Sequence, residues 1–351
     1  MRTVQLGPIP VGDGHPTVFV AETGSFFNKE VETACQYLDV IARSGADIFK
    51  TEIIHRADIC LPHDQTLVAY NHLGGKKTEN YREHVERKQL SLADYATIFD
   101  HARKLDMPFL ATVFDFEGVD FLKSAGGCAM KISRNNINNV PLIRYAARAG
   151  LPLIFDEGFV YLDELAAALR WAREAGCEDF VINYHPGLNP APAARHNLRV
   201  IETYKETFGL PIGLACHFRG EEILYAAIGA GVNLLEKGVD ADPDRIEADL
   251  ISATPLSCLP GVVEKVKACW SALGSPHPVP PEPRDLVARA CIVVAADLPA
   301  GTVIEEKHLR FAWPALGISV SYWDRILGAS SVRALREGEP LHWSDLRLDD
   351  C

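Results

Sequence analysis

The run PFLATVFD (residues 108–115), followed by AMKIS (129–133) and PLIFDE (152–157), decides the fold. Each is a short apolar stretch that closes on polar residues: Thr112 and Asp115, then Lys131, then Asp156 and Glu157. The pattern extends both ways. Upstream lie VFVAE, ending at Glu22, and ADIFK, ending at Lys50. Downstream lie FVINYH (His185), IGLACH (His217) and VNLLEK (Glu236 and Lys237). A polar residue that closes a buried strand must be solvated, paired or useful. Eight such closures predict a ring of functional groups on one rim, which is the layout of an α/β (β/α)8 TIM barrel with its site at the C-terminal strand ends.

The stretches between these runs have helical spacing. EVETACQYLDVIARSGAD follows the first run, SLADYATIFDHARKLDM precedes the third, and LDELAAALRWAREAGCED precedes the sixth. Gly45, Gly150, Gly176 and Gly231 stand where helix C-caps belong, and Ser91 with Asp94 reads as a capping box. Strand and helix in alternation mean parallel strands joined by crossover helices. A polar insert over residues 58–88, with Lys76, Lys77, Tyr81 and Arg82, interrupts the second unit. It reads either as a loop over the barrel mouth or as a solvated insertion.

Composition limits the functional classes. At 351 residues, 48% hydrophobic and 23% charged, the chain has enough material for a barrel and a small second domain. No apolar run is long enough to span a bilayer, and the first residues lack the regions of a signal peptide. Nine cysteines, scattered singly with no CxxC pair, read as reduced thiols of a cytoplasmic protein. A formal charge of −12 argues against nucleic acid or an anionic membrane as partner, yet leaves room for an anionic small molecule held by a local cation cluster.

The barrel is expected over residues 1–273. GSPHPVPPEPRD holds five prolines and predicts a stiff, extended linker over 274–286. Residues 287–351 form a second, β-rich domain with short runs (ARACIVVA, VRAL) and turns at Pro299–Ala300–Gly301 and Glu337–Gly338. At about 60 residues such a domain is marginal alone and is expected to dock on something.

These motifs together resemble the N-acetylneuraminate (sialic acid) synthase family, an N-terminal barrel joined to a C-terminal antifreeze-like (SAF-type) domain. The likeness spans nearly the whole chain. AETG matches the family's AExG opening, and GADIFK its GAD…K strand. LSLADYATIFDHARKLDMPFLATVFDFEGVDFL matches its long signature, and KISRNNINNVPLI follows its KIGSGExNNxPLI register. IGLACH falls on GxSDH, and LLEKG on hxEKH. DLPAGTVIEEKHLRFAWPALGIS and ILGASSVRALREGEPLHWSDL match the antifreeze-like domain.

The resemblance implies condensation of phosphoenolpyruvate with an open-chain amino sugar to give a 2-keto-3-deoxy acid and phosphate, with a divalent metal (Mn or Mg) held by two histidines. It places Glu22, Lys50, Thr112, Phe114, Lys131, Asn138, His217, Glu236 and Asp249 at the family's site positions. Lys50 and Lys131 would hold the anionic groups, or else pair structurally with Glu22 or Glu236. Thr112 would donate to an anion, or serve only as a β-branched strand residue. It also implies a homodimer in which the small domain of one chain caps the partner's barrel, bringing Trp313 and Leu316 close to Lys50 and His217 of that barrel.

The departures cluster at the same site. Gly238 replaces the second metal histidine, and Ala215 and Cys216 precede His217 in place of Ser and Asp. Asn136 replaces the acid/base carboxylate, and Arg134 the phosphate-binding Ser. Asp156–Glu157–Gly158–Phe159 replaces STGM, Phe26–Phe27 replaces NH, and Trp313 replaces the Arg of the small domain. His217, His185 and Asp156 read as a rebuilt metal site, and Glu22, Glu157 or His185 as the replacement base. Arg134 would grip a phosphate or carboxylate bidentately, and Trp313 would offer a stacking surface to a different acceptor. Three readings follow: a divergent synthase using phosphoenolpyruvate, a barrel aldolase or lyase with a Schiff-base lysine or rebuilt metal site, and a non-catalytic relative.

Overall fold

The structure is a computed structural model that describes residues 2–61 and 66–348. It divides into two compact units, Met1–Gly274 and Ser275–Cys351.

The first unit opens with an antiparallel hairpin of β1 (Val4–Leu6) and β2 (Ile9–Val11). The barrel strands follow in register with the eight apolar runs: β3 (Val18–Gly24) and β4 (Ile48–Glu52), then, after a second hairpin of β5 (Leu67–His72) and β6 (Gly75–Asn80), β7 (Phe109–Thr112), β8 (Met130–Ile132), β9 (Leu153–Asp156), β10 (Phe180–Tyr184), β11 (Ile212–Cys216) and β12 (Leu234–Asp240). Every barrel pairing is parallel, and β12 pairs with both β11 and β3, which closes the ring. A two-residue strand, β13 (Thr254–Pro255), pairs parallel with the last residues of β12.

The helices are α1 (Val31–Ser44), α2 (Tyr81–Lys88), α3 (Leu92–Lys104), α4 (Phe116–Ala125), α5 (Val140–Arg148), α6 (Leu162–Glu174), α7 (Val200–Phe208), α8 (Glu222–Gly229) and α9 (Leu259–Leu273). Ser91 and Asp94 form the expected capping box of α3, and Gly45 ends α1 at φ 82°, where a side chain would be strained.

Strand periodicity sorts the barrel into two cores. Outward residues such as Phe19, Phe49, Phe155, Ile182 and Leu235 pack against the helices. Inward residues Val18, Val20, Ile48, Leu110, Ala129, Ile154, Val181 and Leu234 form a floor, and Val4, Leu6 and Val11 of the first hairpin plug it from below. The next inward positions toward the strand ends are polar, and these build the site.

The insert is neither a bare loop nor a wholly solvated excursion. It folds as the β5–β6 hairpin followed by α2, and it carries Tyr81, His84 and Lys88 to the barrel mouth. Buried Glu247 accepts from Arg87 and lies 3.3 Å from the Lys88 ammonium, which ties the insert to the loop after β12. Lys76 and Lys77 do not line the cavity.

In the second unit β14 (Cys291–Val294) pairs antiparallel with β15 (Leu309–Ala312), and β16 (Ser330–Ser331) with β17 (Leu346–Arg347). Its own core gathers Ile292, Val294, Leu298, Ile304, Ile318 and Ile326. The proline-rich stretch is not wholly extended, because Pro283–Leu286 makes one helical turn, α10; later in the unit Trp323–Ile326 makes another, α11. VRAL contributes only an isolated bridge, Leu298 to Leu335, rather than a strand. No helix among the described residues is long and apolar enough to cross a membrane. The eight cysteines among them are all free thiols.

Candidate active site

Above the apolar floor, the inward side chains are Glu22, Lys50, Thr112, Lys131, Asp156, Asn183 and Glu236, one from each of seven strands. Two residues further on come Glu52, Phe114, Ser133, His185, His217 and Gly238. Most of these surround a cavity of about 300 Å³ at the C-terminal strand ends.

Lys131 is the hub. Its ammonium donates to Glu236 Oε1 at 2.6 Å and lies 3.3 Å from Asp156 Oδ2. Lys50, 1% exposed, bonds Glu22 and lies 3.5 Å from Glu236 Oε1. Asn183 Nδ2 donates to the other Glu236 oxygen at 3.0 Å. Thus the structural pairing foreseen for the lysines is present, and it sits inside the cavity rather than apart from it.

Burial is the largest influence on every group in this cluster, and the neighbours decide the outcome. Burial raises the Glu22 carboxyl well above the usual carboxylate range despite the pull of Lys50. Burial would raise Glu236 too, but Lys131 and Lys50 outweigh it and hold Glu236 ionised. Asp156 is likewise held low by Lys131 against burial. Burial opposes the charge on Lys131 and Lys50, yet the surrounding carboxylates push both upward, so both remain ammonium ions. Each ammonium has three donors, and the protein carboxylates leave part of that capacity for an anion.

The upper tier is built around two imidazoles. The His185 and His217 rings lie 4.3 Å apart between centroids. The backbone N–H of Gly187 donates to His185 Nδ1 at 2.8 Å, so His185 is neutral with its proton on Nε2. Burial pushes His217 down, with the neighbouring His185 adding to it. Asn189 Nδ2 donates to Asp249 Oδ1 at 2.7 Å, fixing a second carboxylate at the mouth. Ser25 Oγ, Ser133 Oγ, Asp156 Oδ1 and His217 Nδ1 are buried there with no protein partner, which marks the cavity as built for a polar ligand.

Several expected site residues lie elsewhere. Glu157 follows inward Asp156 and therefore points outward by the period of two. Its carboxylate accepts from Tyr204 Oη at 2.5 Å behind the barrel wall, so it cannot serve as the base. Asn138 is exposed and lines no cavity, because it sits past the turn Arg134–Asn136. Asn136 borders a neighbouring groove of about 600 Å³ that shares Phe114, Arg134 and Tyr81 with the main cavity. Asp115 caps α4 and pairs with His55. Trp313 belongs to the second unit, where it is 77% exposed.

The expected metal set does not assemble. Asp156, His185 and His217 all line the cavity, but among the described residues no group of three or more His, Cys, Asp or Glu is disposed to hold a metal ion. Asp156 is already engaged by Lys131, and His185 Nδ1 by Gly187.

Asn183, Ser25 and Ser133 escaped the sequence reading. Asn183 was detectable as the one polar residue inside the apolar strand FVINY, with the same parity as His185.

The NeuB family model matches residues 37–278, and the SAF domain model matches residues 289–347. An uncharacterized protein of Methanocaldococcus jannaschii is 26% identical over 99% of this chain and 100% of its own length. The N,N'-diacetyllegionaminic acid synthase of Campylobacter jejuni is 26% identical over 92% of this chain and 98% of its own. The crystal structure of N-acetylneuraminic acid synthetase from Leptospira borgpetersenii superposes with a TM-score of 0.71 at 22% identity, covering 81% of this chain and 93% of that one. The barrel and the small C-terminal domain are thus those of a known architecture, and the chain belongs to the NeuB family.

Proposed function

We propose that this chain condenses phosphoenolpyruvate with a sugar or other aldehyde acceptor to give a 2-keto-3-deoxy acid and inorganic phosphate. The observation that carries this reading is the pair of buried ammonium groups, Lys50 and Lys131, in one cavity of an otherwise acidic protein. Phosphoenolpyruvate presents a carboxylate and a phosphate a few ångströms apart, and two fixed cations suit such a double anion. Relatives named as legionaminic, pseudaminic and N-acetylneuraminate-9-phosphate synthases support the reading at 25–26% identity.

In the reaction, C3 of the enol phosphate bonds to the aldehyde carbon, water adds at C2, and phosphate departs as the C2 carbonyl forms. Lys50 and Lys131 orient the anion and stabilise the charge that leaves with phosphate. Thr112 presents a hydroxyl beside them. Glu22, whose carboxyl burial raises, pairs with Lys50 at the cavity wall and is the group to which we assign proton transfer to the new alkoxide, and ionised Glu236 keeps Lys131 in position. Arg134 stands at the mouth over the Phe159 ring, 5.2 Å away, available to an anionic part of either substrate.

The aldolase reading needs a neutral lysine. Both cavity lysines are held as ammonium ions, which disfavours a Schiff base. Lys237, whose charge burial does disfavour, points outward and donates to Phe218 O at 2.5 Å. We also read the protein as a homodimer in which the small domain meets a partner's barrel. The exposed apolar side chains Phe311, Trp313 and Leu316 support such docking.

The test is calorimetry with phosphoenolpyruvate, followed by phosphate release across a panel of aldehydes. Micromolar binding and acceptor-dependent release are expected. Absence of binding, or borohydride trapping of a carbonyl compound on Lys50 or Lys131, would overturn the reading.

A further inference from the structure

The place where the family resemblance expects a second metal histidine is taken by a glycine whose backbone does not require one. Gly238 is absent from the residues with left-handed φ, and a Cβ there would meet only ordinary contacts, Ala253 Cβ at 3.7 Å and Phe26 Cε2 at 3.8 Å. Beyond that Cβ stands the Phe26 ring. The same ring approaches Gly24, where a Cβ would lie 3.5 Å from Phe26 Cε1 and Cζ. Phe26 is thus seated between two glycines at the ends of the adjacent strands β3 and β12, which pair through Glu22 and Gly238.

The seat is firm. Phe26 is 5% exposed, its N–H donates to Thr23 O at 2.9 Å, and its carbonyl accepts from Arg245 Nη2 at 2.8 Å. Phe26 and Gly238 both line the cavity. A histidine at 238 would set its side chain against this ring, whose Cε2 lies 3.8 Å from the Cβ position, and Phe26 itself offers no donor. His217 is left with Nδ1 buried and unpartnered, and among the described residues no group of three or more ligands completes a set.

We propose that this barrel works without a divalent cation, Phe26 and Gly238 having turned the position of a metal ligand into an apolar wall. The inference deepens the phosphoenolpyruvate reading and rests on it for the reaction, but not for the geometry. Polarisation of the acceptor carbonyl then falls to hydrogen-bond donors of the protein. His185 lines this cavity and its Nε2–H has no protein partner among the described residues, so we assign the task to it.

The test uses Mn²⁺ alone as probe, on the full chain stripped with chelator, by calorimetry and electron paramagnetic resonance, with and without phosphoenolpyruvate. No saturable site is expected in either condition. One equivalent of Mn²⁺ bound per chain at micromolar concentration would overturn the proposal. Gly238→His alone is expected to bind no better, because Phe26 keeps its place. Phe26→Asn combined with Gly238→His is expected to show a saturable Mn²⁺ site where wild type shows none. Binding by Gly238→His alone, or none by a double variant with native circular dichroism, would refute the role of Phe26. If phosphoenolpyruvate also fails to bind wild type, the functional reading falls while the cation result still stands.

Discussion

The Lys131 ammonium and the Glu236 carboxylate meet at 2.6 Å in the middle of the barrel, with side-chain exposures of 5% and 3%. Neither has water to fall back on, so each is the condition for the other's charge. Removing the cation by Lys131→Met leaves Glu236 and Asp156 buried with one partner fewer. A loss of about 3–5 kcal/mol in urea unfolding is expected, together with loss of phosphoenolpyruvate binding by calorimetry. The double variant Lys131→Met/Glu236→Leu should regain much of the stability and none of the binding. Recovery of binding in the double variant would show that Lys131 serves the fold alone.

Glu157 governs a different property. Burial holds its carboxyl at about 7, above the roughly 4.3 of an unfolded chain. Between those values the folded state keeps the proton that the unfolded state gives up, so stability falls as pH rises from about 4.3 to 7. Glu157→Gln keeps an oxygen for Tyr204 and removes the titration. The variant is expected to gain about 3 kcal/mol relative to wild type at pH 8 and nothing at pH 4, read from unfolding curves. An unchanged pH slope would refute this assignment.

Gly158 tests the placement of His185. A Cβ at Gly158 would fall 2.7 Å from His185 Cγ and Nδ1, closer than side chains ever pack. Gly158→Ala must shift the ring from this position. Phosphate release, measured with any acceptor that supports turnover, should drop by about 100-fold, with phosphoenolpyruvate affinity unchanged. Equal turnover in the variant would remove His185 from the reaction.

Trp313 tests the dimer. Sedimentation equilibrium is expected to give two chains per particle. Trp313→Ala should raise the KM for the acceptor without changing phosphoenolpyruvate affinity, since a tip supplied by the partner would touch only the upper part of the site. A monomeric wild type would end that reading.

Much of this site was legible because a strand alternates faces. Glu22, Lys50, Thr112, Lys131 and Glu236 share the inward parity with the floor residues two or four positions before them. Glu157 was misplaced because the polarity of a strand end was weighed without that parity. Asn183 was overlooked for the converse reason, since an amide inside an apolar run closes no strand. The insert was harder. β5 exposes Leu67, Ala69 and Asn71 on one face and covers Val68, Tyr70 and His72 on the other. Both faces mix apolar and polar side chains, so LVAYNH carries no hydropathic alternation from which a hairpin could be read. Phe26 could be seen to replace a polar residue, but its position against Gly238 depends on the pairing of β3 with β12, a contact more than two hundred residues apart in sequence.

The hairpin of β1 and β2 has a kinetic consequence. By stoppering the floor with Val4, Leu6 and Val11, it makes the barrel a vessel with a single opening. Whatever seats itself on Lys50 and Lys131 lies beneath whatever settles beside His185 and His217. On the proposed reaction the deeper anion is therefore expected to load before the acceptor, and inorganic phosphate to leave only once the condensed product has cleared the mouth.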